Sequence, residues 1–389
     1  MITDRLYYDD AYLTEFDARV ICVRADGWIA LDRSAFYPTS GGQPHDTGVL
    51  ECGDLTARVT DVQVEKDVVW HCIDTPLHEG QRVHGRIDWT RRFEHMQQHA
   101  ADHMLAGAAW ELYGGVTIGL HLGQSDATID MELPGGRTHL TREEIDTLEA
   151  LVNARVQRDD MVQCWFPSEK ELEHLPLRKR PTVTQHVRVV AMGDYEMVAC
   201  GGTHPSTTGQ IGPVKILSCT PARGKMRLCF VAGMRAVRYL QRAVRCAEAM
   251  AAAVSSDVDG AYDALLRERE SAAEARKDLG QRLTQAALEA LRVGRQGNLY
   301  AAHLAFADHE TLLHAAGELT RDPQAVVLLS CPRKEARMLV FARGAEAGID
   351  MAALLRACGA RGGGKPDMAQ GSAPDGEALR QAIHEVLSC

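Results

Sequence analysis

Apolar residues in the first 90 positions fall in short runs rich in β-formers. Val20-Ile21-Cys22-Val23, Trp28-Ile29-Ala30-Leu31, Ala57-Arg58-Val59 and Val68-Val69-Trp70 are separated by segments holding Gly or Asp, a pattern of strands and turns. So many short strands in so little chain predict a small barrel-like β domain over 1–90. The period changes between Asp88 and Tyr113, where Phe93, Met96, His99, Ala100, His103, Met104 and Gly107 share one helical face. Ala127 to Met131 reads as a strand. A helix then begins after Thr141, with Glu144 three residues on in a capping-box pattern. Val187 to Val190 and Val214 to Leu217 read as further strands, completing an α+β domain over 91–233.

From about Met234 to Val293 the pattern is helical, broken near Ser255 to Gly260. Leu265, Ala272, Leu279, Ala286 and Val293 recur every seven residues, with Arg269 and Arg276 among the companion positions. This predicts a helical hairpin or short coiled coil over 234–297. The remainder, 298–389, alternates helix and strand: Ala325 to Leu329, Met338 to Phe341, a helix over Met351 to Cys358, the run Arg361-Gly-Gly-Gly-Lys365 and a last helix. A C-terminal α/β domain follows. The fold class is α+β in four segments, with no internal repeat.

Composition narrows the function classes. With 389 residues, 45% hydrophobic and 25% charged, the chain is globular and long enough for several cores. Aromatics make up 5%, which argues against single-strand binding on stacked aromatic platforms. The formal charge of −10 is opposite to the simplest sign of a nucleic-acid binder, although a local basic patch is compatible with it. Eleven dispersed cysteines without a C-x-x-C argue for reduced thiols rather than a disulfide framework. No secretory h-region and no run of the roughly 18 apolar residues needed to span a membrane is present. A cytoplasmic location is expected.

Two i, i+4 pairs suggest metal chemistry. His99 and His103 project from one helical face, and Cys200-Gly-Gly-Thr-His204 places a thiol and an imidazole around two glycines that let backbone wrap closely. Together they offer the N and S donors that zinc takes tetrahedrally. On spacing alone, a ligand set and a pair of buried structural histidines are both open. Neither pair is the H-E-x-x-H of metalloproteases. Phe36-Tyr-Pro-Thr-Ser-Gly-Gly-Gln43 displays backbone, a hydroxyl and a carboxamide on one turn, or is an ordinary hairpin connection. Arg223, Lys225, Arg227, Arg235, Arg238, Arg242 and Arg245 lie in a stretch without acidic residues, and Arg178-Lys179-Arg180 forms a second cluster. Either set is a nucleic-acid face or a solvated surface.

Four segments, in chain order, resemble the alanyl-tRNA editing family: free-standing AlaX-type proteins and the editing half of alanyl-tRNA synthetase. They are Phe36 to Gln43, Gln98-His99-x-x-x-His103, Ile118-Gly-Leu-His-Leu-Gly123, and Cys200 to His204 followed by Thr208-Gly-Gln-Ile-Gly-Pro-Val-Lys-Ile216. The tail Gly362 to Gly371 is similar to the DHH-associated domain that ends alanyl-tRNA synthetases and long AlaX proteins. The resemblance implies one Zn2+ per chain on His99, His103, Cys200 and His204. It implies a substrate loop at Gly41, Gly42 and Gln43, with Thr39 reading the serine hydroxyl. Alanine stands at position 100, where the family often has serine or threonine. The Asp-His-His phosphoesterase motif is absent from the sequence, and no aminoacylation domain is expected ahead of the β domain.

The implied activity is ATP-independent deacylation of Ser-tRNA(Ala), with Gly-tRNA(Ala) as a second mischarged partner. A hydrophobic pocket rejects an added hydroxyl by only about 10², whereas a site that hydrogen-bonds it discriminates far better. Four protein ligands close a zinc shell, so the expected role of zinc is to organise the terminal ribose or α-amino group. No side chain identifies itself as the base. RNA contact is expected at Arg223, Lys225, Arg227 and at Gly362, Gly363, Gly364 and Lys365, the last four being either a phosphate-contacting loop or a turn. The 298–389 domain is expected to bind tRNA or to form a homodimer. The alternatives are a zinc-dependent tRNA-binding or regulatory protein without hydrolysis, and a deacylase for another mischarged tRNA.

Overall fold

A computed structural model describes residues 2–181 and 186–388; Cys389, the last of the eleven cysteines, lies outside them. The ten described cysteines are free thiols. The chain is mixed α/β and divides into two compact units, Met1–Cys246 and Ala247–Cys389.

The first unit opens with a closed six-stranded antiparallel barrel. Its strands are β1 (Glu15–Val23), β2 (Trp28–Leu31), β3 (Gly48–Cys52), β4 (Leu55–Glu65), β5 (Val68–Ile73) and β6 (Arg82–Ile87), paired in the order β1-β2-β5-β4-β3-β6 and closed by β6 on β1. Alternation explains the inside. Along β1, Phe16, Ala18 and Val20 point inward while their neighbours are exposed, and Ile29, Leu31, Phe36, Leu50 and Val59 fill the same core.

Helix α1 (Trp89–Tyr113) follows at once. The Asp88 side chain accepts from Arg91 N at its start, and Gly114 at φ 68 ends it in the left-handed region. Two antiparallel sheets accompany it. One is β12 (Val214–Ala222), β13 (Lys225–Ala232), β8 (Ala127–Glu132) and β7 (Val116–Leu122), in that spatial order; the other is β9 (Val162–Trp165), β10 (Val189–Met192) and β11 (Glu196–Ala199). Helix α2 (Arg142–Gln157) carries the expected capping box: the Thr141 hydroxyl accepts from Glu144 N, and the Glu144 carboxylate accepts from Thr141 N. Met104, Leu105, Ile129, Leu148, Val152, Leu228 and Phe230 form the shared core.

Helix α3 (Gly233–Ala253) and helix α4 (Ala261–Val293) are separated by the expected break. The heptad positions of α4 are not its buried side. Leu265, Leu279 and Val293 are exposed, whereas Ala264, Ala287 and Leu291 are buried; the last two pack into the core of the C-terminal sheet. That sheet comprises β14 (Leu299–His303), β15 (Val326–Arg333), β16 (Ala336–Arg343), β17 (Arg361–Gly364) and β18 (Met368–Ala373), in the order β14-β15-β16-β18-β17. The β14–β15 pairing is parallel and the others are antiparallel. Helix α5 (His309–Leu319) packs on one face, and α6 (Met351–Ala357) and α7 (Glu377–Ser388) on the other.

Candidate metal centre

His99 and His103 sit one turn apart on the buried side of α1. Cys200 and His204 lie on the loop that leaves β11. That loop presses against α1 so closely that a Cβ at Gly202 would meet His99 Cε1 at 2.2 Å. Only glycine fits there. Arg188, itself buried, holds the loop from behind by donating Nη1 hydrogen bonds to the Cys200 and Gly202 carbonyls at 3.2 and 2.8 Å.

One donor atom from each of His99, His103, Cys200 and His204 lies within 4.8 Å of the other three. Cys200 Sγ is 3.4 Å from both His99 Nε2 and His204 Nε2. Zinc bonds of 2.3 Å to sulfur and 2.0–2.1 Å to nitrogen, at a tetrahedral angle, set these atoms about 3.5 Å apart. Hydrogen-bond accounting points the same way. Among the described residues, the buried side-chain atoms without a partner are His95 Nδ1, Asp102 Oδ1, both ring nitrogens of His103 and His204 Nδ1. Unsatisfied buried polar groups are rare, and all of these lie on α1 or the Cys200 loop. The donor set, with His103 Nε2 still without a partner, therefore fits a metal ion. Burial alone raises the Cys200 thiol, but the surrounding imidazoles of His99, His103 and His204 outweigh it and hold the thiol well below its ordinary range. Cys200 is also part-exposed, at the edge of a cleft of about 840 Å³ that Tyr8, Phe166 and Gly201 help to line.

The Ser40–Gln43 segment reaches this centre from the barrel. Ser40 and Gln43 exchange backbone hydrogen bonds around Gly41 and Gly42, both at positive φ (58 and 82), as in a tight hairpin turn. A Cβ at Gly42 would stand 3.0 Å from the Leu120 carbonyl of β7, and Leu122 N donates to the Gly42 carbonyl. The motif Ile118 to Gly123 is thus packed against the glycine turn. The sequence pattern predicts a displayed Gln43 carboxamide on this turn. It is instead fully buried. Its Oε1 lies 2.9 Å from His99 Nδ1 and accepts from Thr203 N, while its Nε2 donates to the Thr203 hydroxyl. Gln43 therefore fixes His99 with Nε2 toward the cluster. Thr39 is exposed and its hydroxyl lies 3.1 Å from His45 Nδ1.

Sequence reasoning missed the group that fastens the turn to the helix. Arg92 of α1 and Asp46 pair with no exposure on either side chain. Arg92 also donates to the Ala11 and Ala35 carbonyls, and Asp46 accepts from Tyr37 N. A charged residue on the apolar face of α1 was the available signal.

The basic clusters are less free than their sequence neighbours imply. Arg227 Nε is 2.6 Å from Asp130, Lys225 pairs with Glu132, and Arg235 and Arg238 both pair with Glu94. The partners come from adjacent strands and from α1, remote in sequence. Arg223 is exposed at a turn, with φ 50. Gly362, Gly363 and Gly364 are an exposed edge strand rather than a loop. A Cβ at Gly362 or Gly364 would stand 2.2 or 2.3 Å from the carbonyl of Gln370 or Met368 in the neighbouring strand β18, and Lys365 and Met368 close the turn with mutual backbone bonds.

Residues 11–91 match the family model for tRNA synthetases class II (A), residues 187–228 the threonyl and alanyl tRNA synthetase second additional domain, and residues 297–389 the DHHA1 domain. An alanine–tRNA ligase of Thermococcus kodakarensis is 32% identical over 99% of this chain and 43% of its own length. One of Pyrobaculum neutrophilum is 33% identical over 99% and 44%. The chain is AlaX-like, related to the editing and C-terminal parts of alanyl-tRNA synthetase. It spans less than half the length of these curated relatives. A solved structure, the C-Ala domain from Aquifex aeolicus alanyl-tRNA synthetase, is matched at 21% identity over 23% of this chain and 86% of that one, with a TM-score of 0.21. Within this AlaX-like chain, Cys200 and His204 fall inside the second-additional-domain match, whereas His99 and His103 fall outside all three matched ranges. Their place in the centre rests on geometry. The relation supports a role in alanyl-tRNA editing or tRNA binding. Among the described residues, no helix is long and apolar enough to cross a membrane.

Proposed function

We propose that the protein is a trans-editing hydrolase that deacylates Ser-tRNA(Ala), with Gly-tRNA(Ala) as a second substrate, at a zinc-organised site in the cytoplasm. The observation that carries this reading is the convergence of four donors from two distant segments, with unsatisfied nitrogens, beside a glycine turn. Zinc, when bound, would supply a Lewis-acid centre that orients the terminal ribose or α-amino group of the ester. His99, His103, Cys200 and His204 hold it, and Gln43 fixes the tautomer of His99. Gly41 leaves its side of the turn open, so a substrate can approach the backbone there closely, while Gly42 lets the turn pack against Leu120. The cleft beside Cys200 gives the tRNA end access, and the Thr39 hydroxyl bonds that of serine. Arg223, Lys225 and Arg227, together with Gly362 to Lys365 in the 298–389 domain, contact tRNA. Lys225 and Arg227 first exchange their acidic partners, so their share is smaller than that of Arg223.

Purified protein incubated with Ser-, Gly- and Ala-tRNA(Ala) tests the reading directly. Serine is released much faster than alanine. Equal release of the two, or none of either, removes the proposal.

A further inference from the structure

We propose that Glu196, clamped by Arg178 and admitted by Gly107, is a positioning residue that orients His103 toward the metal. The inference rests on the metal reading of the cluster. Glu196 belongs to β11, four residues before Cys200, and its side chain is 2% exposed. Arg178 Nε donates to both carboxylate oxygens at 3.0 Å. The carboxylate then faces His103, with Oε1 3.9 Å from Nδ1.

That separation is beyond hydrogen-bond range, and His103 Nδ1 has no other partner. With Nδ1 facing Glu196, Nε2 is the nitrogen left for the ion. Once Nε2 is committed, the ring proton must sit on Nδ1, and a charged carboxylate is a stronger acceptor than a neutral group. A shift of about 1 Å brings the pair to normal hydrogen-bond length. The sequence keeps the approach open. Gly107 follows His103 by one turn, and a Cβ there would stand 2.4 Å from Glu196 Oε2.

A buried ion pair is often no more stabilising than apolar residues of the same volume; what sets this one apart from Arg92–Asp46 is that its carboxylate faces a ring nitrogen with no other partner. The three imidazoles are then supported unequally: His99 by the Gln43 amide, His103 by a carboxylate, and His204 by no described side chain at Nδ1.

The test reads metal binding without tRNA. Zinc affinity of the full chain is measured by competition with a chromophoric chelator, and the cobalt-loaded absorption spectrum reports the ligand field. Glu196→Gln is expected to weaken zinc binding about 10- to 100-fold and to shift the cobalt spectrum. In a His103→Ala background the same change should cost nothing further, since both act through one ring. Unchanged affinity in Glu196→Gln, or a loss that adds in full to that of His103→Ala, overturns the inference. If Glu196→Gln does not fold because Arg178 is stranded, Gly107→Ala, which displaces the carboxylate, is judged by the same criteria. A wild-type chain that binds no zinc overturns both this inference and the metal reading. Zinc binding that ignores Glu196 overturns this one alone.

Discussion

Two buried polar clusters share α1 and differ in one respect. Around Arg92 and Asp46 the groups are matched: the guanidinium reaches the carboxylate and two carbonyls, and the carboxylate takes a backbone N–H as well. About three turns further along, His103, and His204 on the loop packed against it, keep ring nitrogens with no partner. Burial is similar, so burial does not separate a structural cluster from a ligand site. Satisfaction does. A matched cluster is complete as folded, whereas an unmatched one loses free energy until something supplies the missing bonds.

The largest expected effect tests the unmatched side. Cys200→Ala leaves three imidazoles and removes the thiolate. Zinc content should drop to background and deacylation of Ser-tRNA(Ala) should fall with it, by more than the 10- to 100-fold typical of losing an outer-shell partner. Metal analysis and the deacylation assay on one preparation check this. Full activity in a metal-free preparation would take the metal out of the chemistry.

The matched side responds differently. Arg92→Ala strands a buried Asp46 and should cost about 3 to 5 kcal/mol of folding stability, whether or not zinc is present, as read by urea unfolding. The double change Arg92→Met with Asp46→Leu should recover most of that loss. If chelation alone reproduced the destabilisation, the two clusters would not be independent.

His71 is a smaller case of a matched group that titrates. Its ring nitrogens lie 2.8 Å from the Ser34 hydroxyl and 3.4 Å from the Ile29 carbonyl, and burial lowers its pKa from 6.5 to about 4. The unfolded chain therefore takes up a proton near pH 6.5 that the folded chain refuses until about pH 4. The contribution of neutral His71 is complete above pH 6.5 and declines as pH falls toward 4, by about 3 kcal/mol in all. Urea unfolding from pH 7 to pH 4 should show this decline in the native chain and a shallower one in His71→Gln. Equal slopes would mean that the site is not neutral when folded.

Legibility followed the range of the interaction. The barrel strands, α1 and the Thr141–Glu144 box were readable because period and capping are local. The clustering of the four residues was readable because each pair is spaced i, i+4. Sequence predicts Gln43 as a displayed group, because its bonds to His99 and Thr203 cross 56 and 160 residues. Arg92–Asp46 went unnoticed for the same reason. The basic stretch looked uncompensated because Asp130, Glu132 and Glu94 approach from other strands and from α1. The heptad of α4 misled because hydrophobic spacing does not say which side a sheet will cover.

The smallest expected effect concerns selectivity between serine and alanine rather than either cluster. Thr39 is exposed, near the turn that Gln43 ties to His99, and its hydroxyl is oriented by His45. Valine keeps the shape and removes that hydroxyl. A neutral hydrogen bond contributes about 0.5 to 1.5 kcal/mol net, so Thr39→Val should lower kcat/KM for Ser-tRNA(Ala) by up to about tenfold. Zinc content and the slow rate on Ala-tRNA(Ala) should stay as they were. This separation matters because a defect in the metal centre slows both substrates together, whereas loss of a serine contact narrows the ratio between them. A variant that kept the serine-to-alanine ratio would move serine recognition away from the turn and leave Gln43, which braces His99, as its link to the chemistry.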